Sequence, residues 1–424
     1  MTTSDTVASK ATPLDQLDLF KLPWNTPELA ANPYPFFDAA RKKHPWLAKT
    51  DEGYVVTGYQ AIRDLMELDR DDKLRPSFDG IIDILGAKDT PWGRFTAEQM
   101  LALSGAEHKV LRDTFAAKFT PRYANQIRPL MRTIMKNLLE EWLPRGQFDF
   151  AEFASYYPVA VTTSMIGAPL DVIPGLRDSL ETLGRAYSLD PNLEPALQKA
   201  ILHLDAFCKK LVDDRRLNPE HEGPEDLLDM MIDASKQEGI SERQLVDMLI
   251  FLFEAGYDTS KNVLTMLMYE MTRHPDVYRK CAGDVEYCRM MLEEFLRYFN
   301  PSHSFRFTNA EITYDGVILP KDTLLFFSLN QSGRDPEIFD QPAIFDPDRP
   351  VDPKYRHVAF GLGKHMCLGQ YIARAQIQEG LAMCAEVMKD PEVIGEVTYR
   401  PFPGLWGLET LPLKFKCDLQ VETA

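Results

Sequence analysis

Cys367 is the residue with the most chemistry around it. It stands in the stretch HVAFGLGKHMCLGQ (357–370), with glycines at 361, 363 and 369. Glycine lets a backbone pass close beneath a flat ligand and leaves N–H groups exposed. The sequence after Gly369 turns helical (QYIARAQIQEGLAMCAEVM), which puts the thiol at or just before a helix N-terminus. The positive end of a helix dipole stabilises a thiolate there. Such a thiolate serves as a nucleophile, a zinc ligand or a haem ligand. Zinc needs further Cys or His ligands at suitable spacing; His365 is too near to share a tetrahedral site easily, and Cys384 lies about four helical turns on. A nucleophile needs a neighbouring base. A second chemical centre is Asp258-Thr259, preceded by Glu254 and Ala255-Gly256 in an otherwise apolar run. An acid beside an alcohol supplies protons.

The run that carries Asp258 is a helix. Ser241 and Gln244 form a capping box, Pro275 closes the far end, and ERQLVDMLIFLFEAGYDTSKNVLTMLMYEMTRH lies between. Its length predicts a span of roughly 50 Å, across the interior of a large domain. Ala255-Gly256 predicts a loosening at its middle, because glycine costs about 1 kcal/mol inside a helix. Helical periodicity recurs at 121–144, 196–217, 225–236, 275–299 and 368–389. Residues 50–58 and 311–329 read as short strands, with Tyr314-Asp315-Gly316 as a hairpin turn. The class is mainly α with a minor β part. Residues 1–12 read as a disordered tail.

Composition narrows the function. The 424 residues carry 47 Lys and Arg against 64 Asp and Glu, a formal charge of −17. That balance excludes nucleic acid as the main partner. No apolar run is long enough to span a membrane and no secretory signal is visible. The six cysteines make no disulfide framework. A cytoplasmic location is expected.

The string Phe360-Gly361-x-Gly363-x-His365-x-Cys367-x-Gly369 resembles the haem-binding loop of the cytochrome P-450 family of haem-thiolate monooxygenases. Three further motifs follow the family's order and spacing: His108-x-x-x-Arg112, Ala255-Gly256-Tyr257-Asp258-Thr259 and Glu294-x-x-Arg297. NPYPFFDAARKKHP, RDPEIFDQPAIFDPDRP and GLETLPLKF are also similar to the family, so the likeness runs from about residue 30 to 416. It implies the P-450 fold, a long central helix over a haem held by a cysteine loop. It also implies one domain over 13–424, where length alone suggests two or three.

The resemblance implies roles residue by residue. Cys367 would ligate the iron of haem b (iron protoporphyrin IX), with Phe360 screening the sulfur. Gly361, Gly369 and Ala255 would lie against the haem, and His108, Arg112, Arg306 and His365 would hold its propionates. Thr259 and Asp258 would be the alcohol–acid pair of catalysis. Glu294 and Arg297, three apart on one helix face, would pair and join Arg349 as internal scaffold; His357 reads as structural. The pocket would be lined by Phe78, Ile82, Leu85, Phe251, Glu254, Phe305, Leu405 and Trp406. Glu254 departs from the usual apolar residue: it either pairs with an internal Arg or Lys or recognises a polar or cationic substrate group. Gly333, where Asn is common, affects a structural turn.

The implied activity is insertion of one oxygen atom from dioxygen into a C–H bond of a lipophilic molecule. Ferredoxin or flavodoxin with its NAD(P)H reductase would supply electrons to a monomer with no membrane span. The competing readings are a haem-binding sensor or carrier without turnover, and a thiol-dependent hydrolase using Cys367. The segment 105–136 holds Lys109, Arg112, Lys118, Arg122, Arg128, Arg132 and Lys136 against Glu107 and Asp113. The resemblance implies that this segment lies near the cysteine loop with Lys354, Arg356 and Lys364, and so a basic patch for an acidic redox partner.

Overall fold

The capping box forms as the sequence requires. The Ser241 side chain accepts from the Gln244 N–H, the Gln244 side chain accepts from the Ser241 N–H, and an uninterrupted helix runs Glu242–Arg273. This central helix packs along Phe150–Ile166, whose residues are buried nearly all round. A helix apolar on every side has to lie inside the protein. The helix Gln370–Val387, which follows the cysteine, packs on the central helix and on Arg128–Trp142 and Val285–Tyr298. These helices share one large apolar core. The computed structural model describes residues 11–219, 225–237, 239–350 and 352–417.

Two of the expected long helices are each divided. Residues 275–299 form Pro275–Cys281 and Val285–Tyr298. Gly283, with φ +68°, takes the left-handed conformation that continues no helix, and Asp284 caps the next one by accepting from the Tyr287 N–H. Residues 121–144 divide at Ile127, before Pro129, into Pro121–Gln126 and Arg128–Trp142.

The β part is small. Five strands pair in the order Leu47–Lys49, Tyr54–Val56, Leu324–Phe327, Ser304–Thr308 and Leu74–Arg75. Their apolar face joins a second cluster containing Trp46, Val56, Leu325 and Phe327. Tyr314 pairs with Val317 across a two-residue turn in which Asp315 and Gly316 have φ +42° and +75°. Two left-handed residues match the twist of a hairpin. Of the expected tail, residues 1–10 lie outside the described residues, whereas Thr12 pairs with Val317. Among the described residues, no helix is long and apolar enough to cross a membrane.

Candidate active site

One cavity of about 950 Å³ is lined by Cys367 on the loop before the 370–387 helix and by Ala255, Gly256 and Thr259 on the central helix. The cysteine loop is a tight backbone construction. The Cys367 N–H donates to Phe360 O at 2.8 Å. Gly361 and Gly363 have φ +68° and +75°, and a Cβ on Gly363 would lie 2.9 Å from Met66 O. Gly369 caps the following helix. Burial pushes the Cys367 thiol up, while the Gly369 and Gln370 N–H groups and the Arg112 charge pull it back. Phe360 lines the cavity, with the Arg374 guanidinium 4.3 Å from its ring.

Four nitrogen-bearing side chains from distant segments converge on the same cavity: His108, Arg112, Arg306 and His365. The His108 and His365 rings lie 4.3 Å apart. Burial, then the Arg112 charge, lowers His108 to about 4; burial, then Arg306, lowers His365 to about 2. Both His365 ring nitrogens and Arg306 Nε are buried without a hydrogen-bond partner. Arg112 donates to Met366 O at 2.6 Å. Orphaned buried donors are rare and costly. What these nitrogens lack is an acceptor within hydrogen-bond reach, and a carboxylate-bearing flat ligand over the cysteine loop fits them. Asp69, absent from the sequence reading, sits at the back of the cluster, 3.8 Å from Arg306 Nη2 and 4.0 Å from His365 Nε2. Burial pushes its carboxyl up against the pull of Arg306.

On the central helix the alcohol and the acid part company. Thr259 lines the cavity and its hydroxyl donates to Ala255 O at 3.1 Å. Asp258 is absent from the lining; buried, it forms an ion pair with Arg400. A Cβ on Gly184 would lie 2.4 Å from Asp258 Oδ2, so glycine there makes room for the carboxylate. Tyr257 and Lys261 both donate to Glu181. Gly256 lies against Thr162, whose hydroxyl would be 2.6 Å from a Cβ at that position.

Among the described residues, Glu254 has none of the Arg or Lys pairing that one expectation from the sequence gave it. Its Oε2 is buried without a partner, in the lining of the cavity. Burial, and then the Asp258 charge, raises its carboxyl to about 7. The Tyr187 phenol beside it is pushed up by burial and by Glu254 itself, against a hydrogen bond with Gln99.

Phe78, Phe251, Phe305 and Leu405 line the cavity as expected from the sequence, and Ile82, Leu85 and Trp406 do not. The short helix Asp79–Ile84 turns Ile81 and Ile84 to the cavity and buries Ile82 in the core. Leu85, at its C-cap, is buried in that same core. Trp406 packs on Phe299 and Phe402 and donates to Ala30 O at 2.8 Å.

Away from the cavity, Arg297 makes two 2.7 Å bonds to Glu294 and donates to the carbonyls of Gly333, Pro342 and Ile344. Arg349 Nε reaches Glu294 Oε1 at 3.1 Å. Gly333 has a reason: a Cβ there would lie 2.0 Å from Arg297 O. His357 pairs with Glu293, which also holds Arg374. Part of the expected basic patch is paired locally. Arg128 and Arg132 hold the buried Glu379, Lys109 pairs with Asp113, Lys136 with Glu140, and Lys364 with Asp72.

The family model described as Cytochrome P450 matches residues 185–386. Luteothin monooxygenase of Streptomyces thioluteus is 29% identical over 92% of this chain and 93% of its own length. Cytochrome P450 monooxygenase PikC of Streptomyces venezuelae is 27% identical over 92% of each. The crystal structure of epothilone D-bound cytochrome P450epoK superposes with a TM-score of 0.82 at 20% identity, covering 93% of this chain and 99% of that one.

Proposed function

The chain belongs to the cytochrome P450 family, and from that premise we propose which of its residues do the work. It is a haem-thiolate monooxygenase that puts one atom of dioxygen into a C–H bond of a small molecule, with electrons from a separate redox partner. Relatives named as monooxygenases stand against a haem sensor or carrier. When bound, the haem supplies dioxygen activation at an iron whose thiolate ligand favours O–O cleavage.

In our reading Cys367 Sγ is that ligand, and the N–H groups of Gly369 and Gln370 moderate its charge. His108, Arg112, Arg306 and His365 hold the propionates of haem b. The observation that carries this is the set of orphaned nitrogens on His365 and Arg306, in the same cavity as the glycine-cradled thiol. Phe360, Gly361, Gly369 and Ala255 supply the close-packed walls. Thr259 Oγ1 is the proton-bearing group inside the cavity. Asp258 is the acid that replenishes it, and its pair with Arg400 sets its resting position outside the lining. Phe78, Phe251, Phe305 and Leu405, with Ile81 and Ile84, exclude water and suit a lipophilic substrate. Glu294, Arg297 and Arg349 are scaffold. Residues 13–424 act as one domain, a cytoplasmic monomer served by a ferredoxin or flavodoxin and its NAD(P)H reductase.

The test is the spectrum of the reduced, carbon-monoxide-bound protein. Wild type is expected to show the strongly red-shifted Soret band of thiolate ligation, and Cys367→Ser to lose it while retaining the fold by circular dichroism. A red-shifted band that survives in Cys367→Ser overturns the assignment.

A further inference from the structure

Among the described residues that line the cavity, Glu254 is an acid with no cation to answer it. Every other buried acid near the cavity has a cation: Asp258 has Arg400, Glu181 has Lys261, and Asp69 has Arg306. Glu254 has only the negative charge of Asp258, one turn on, and the neutral phenol of Tyr187. Its Oε2 has no partner. A carboxylate left this way either takes up a proton or waits for a cation from outside. The surrounding groups indicate which cation. Tyr187 packs against Phe78 with ring centroids 6.3 Å apart, and Phe78 against Phe305 at 5.0 Å. All three rings line the cavity. A carboxylate that shares a cavity with three aromatic rings favours an alkylated ammonium over a strongly hydrated one, because the rings attract the charge while the methyl groups bury apolar area.

We propose that Glu254 anchors a protonated, alkylated amine on an otherwise lipophilic substrate, the ammonium N–H meeting the unpartnered Oε2 beside the Tyr187, Phe78 and Phe305 rings. The proposal rests on the monooxygenase reading for what is then done to the substrate, and names the substrate class. Anchoring one end of a flexible molecule fixes which of its C–H bonds lies at the reacting centre.

The probe is N,N-dimethyloctylamine, compared by calorimetry with its neutral carbon isostere (isopropyl in place of dimethylamino) and with the corresponding alcohol. Wild type is expected to bind the amine about tenfold or more tightly than either neutral compound. Glu254→Gln should bring the three within about threefold. A second measurement needs no variant. Near pH 7, where Glu254 titrates, amine binding should displace its proton, seen as a dependence of the binding heat on buffer ionisation enthalpy. Of the neighbours that face Glu254, Asp258 is ion-paired with Arg400, and the Tyr187 phenol is pushed up and so keeps its proton near pH 7. The amine preference should fall as pH drops below 7, because protonation removes the anchoring charge. Equal binding of amine and alcohol, a preference retained in Glu254→Gln, or no proton release would each overturn the proposal. The calorimetric result stands whatever the carbon-monoxide spectrum shows, so failure here and failure of the haem-thiolate assignment are separate outcomes.

Discussion

The Asp258–Arg400 pair gives a stringent test of how the buried acid of the central helix is held. Its side chains are 1% and 3% exposed. Two unit charges about 4 Å apart attract by about 4 kcal/mol at an effective dielectric constant of about 20. Removing one member of a buried pair costs about 3–5 kcal/mol, because the other is left uncompensated. Asp258→Asn and Arg400→Gln are therefore each expected to lose about that much. Arg400→Gln should be the worse, since Arg400 also lies 3.9 Å from Glu409 and feels Glu181. The double variant should lose less than the sum of the two by about 2–3 kcal/mol, the coupling size seen for contacting charged groups. The measurement is urea denaturation of the four proteins at fixed haem loading, since bound haem itself raises apparent stability. Single-variant losses that add to within about 0.5 kcal/mol would refute the reasoning. Asp258 would then be indifferent to Arg400, and its place outside the cavity would need another cause.

Two further outcomes follow from packing and charge. Gly333→Ala puts a methyl group 2.0 Å from Arg297 O, in the turn held by Arg297 Nη1. Overpacking of this kind costs about 1–3 kcal/mol, and an unchanged thermal midpoint would contradict it. Burial tends to raise the Glu293 carboxyl, but hydrogen bonds from His357 and Arg374 outweigh it and hold the group at about 2, against 4.5 when free. A depressed carboxylate contributes its stability above its unfolded value and loses it as pH falls through the folded one. The contribution should thus be full above pH 4.5 and fade toward pH 2, and Glu293→Gln should flatten that part of the stability profile. An acid limb of equal slope in both proteins would assign it to other carboxylates.

Local chemistry made much of this molecule readable from its sequence. The Ser241 capping box, the Asp315-Gly316 turn and the helix after Gly369 are decided by a few adjacent residues, and all three form. Phase failed where the pattern carried none. In the short Asp79–Ile84 helix, isoleucines occupy both faces, so nothing local distinguishes Ile81 and Ile84, which face the cavity, from the buried Ile82. Asp69, Gln99, Tyr187 and Arg400 are single polar residues brought in by packing of remote segments. Arg400 lies 142 residues from Asp258, and no spacing rule connects them. The partner of Arg128 and Arg132 is likewise remote: the buried Glu379 that takes both comes from the helix after the cysteine, which charge spacing along the chain does not reveal.

The distribution of buried charge also separates what the chain completes from what it leaves to ligands. Glu294 is shared by Arg297 and Arg349, Glu293 by His357 and Arg374, and Glu181 by Lys261 and Tyr257. Each of these networks is closed, so each stabilises the fold without inviting a partner. Around the cavity two sites stay open, with opposite sign. Both His365 ring nitrogens and Arg306 Nε have no hydrogen-bond partner, with Asp69 no nearer than 3.8 Å, and among the described residues Glu254 Oε2 has none either. Leaving a buried polar group unsatisfied costs about 1–3 kcal/mol, and more for a charged one. Other buried polar atoms, among them Arg334 Nη2, Glu379 Oε2 and both polar atoms of the Gln331 side chain, also lack a hydrogen-bond partner, so an orphaned atom points to a ligand where it also lines the cavity, as those of His365, Arg306 and Glu254 do. The end that carries Arg112 and Arg306 has the donors a dicarboxylate cofactor needs, and under the proposed amine anchor the Glu254 end would set the polarity of the substrate.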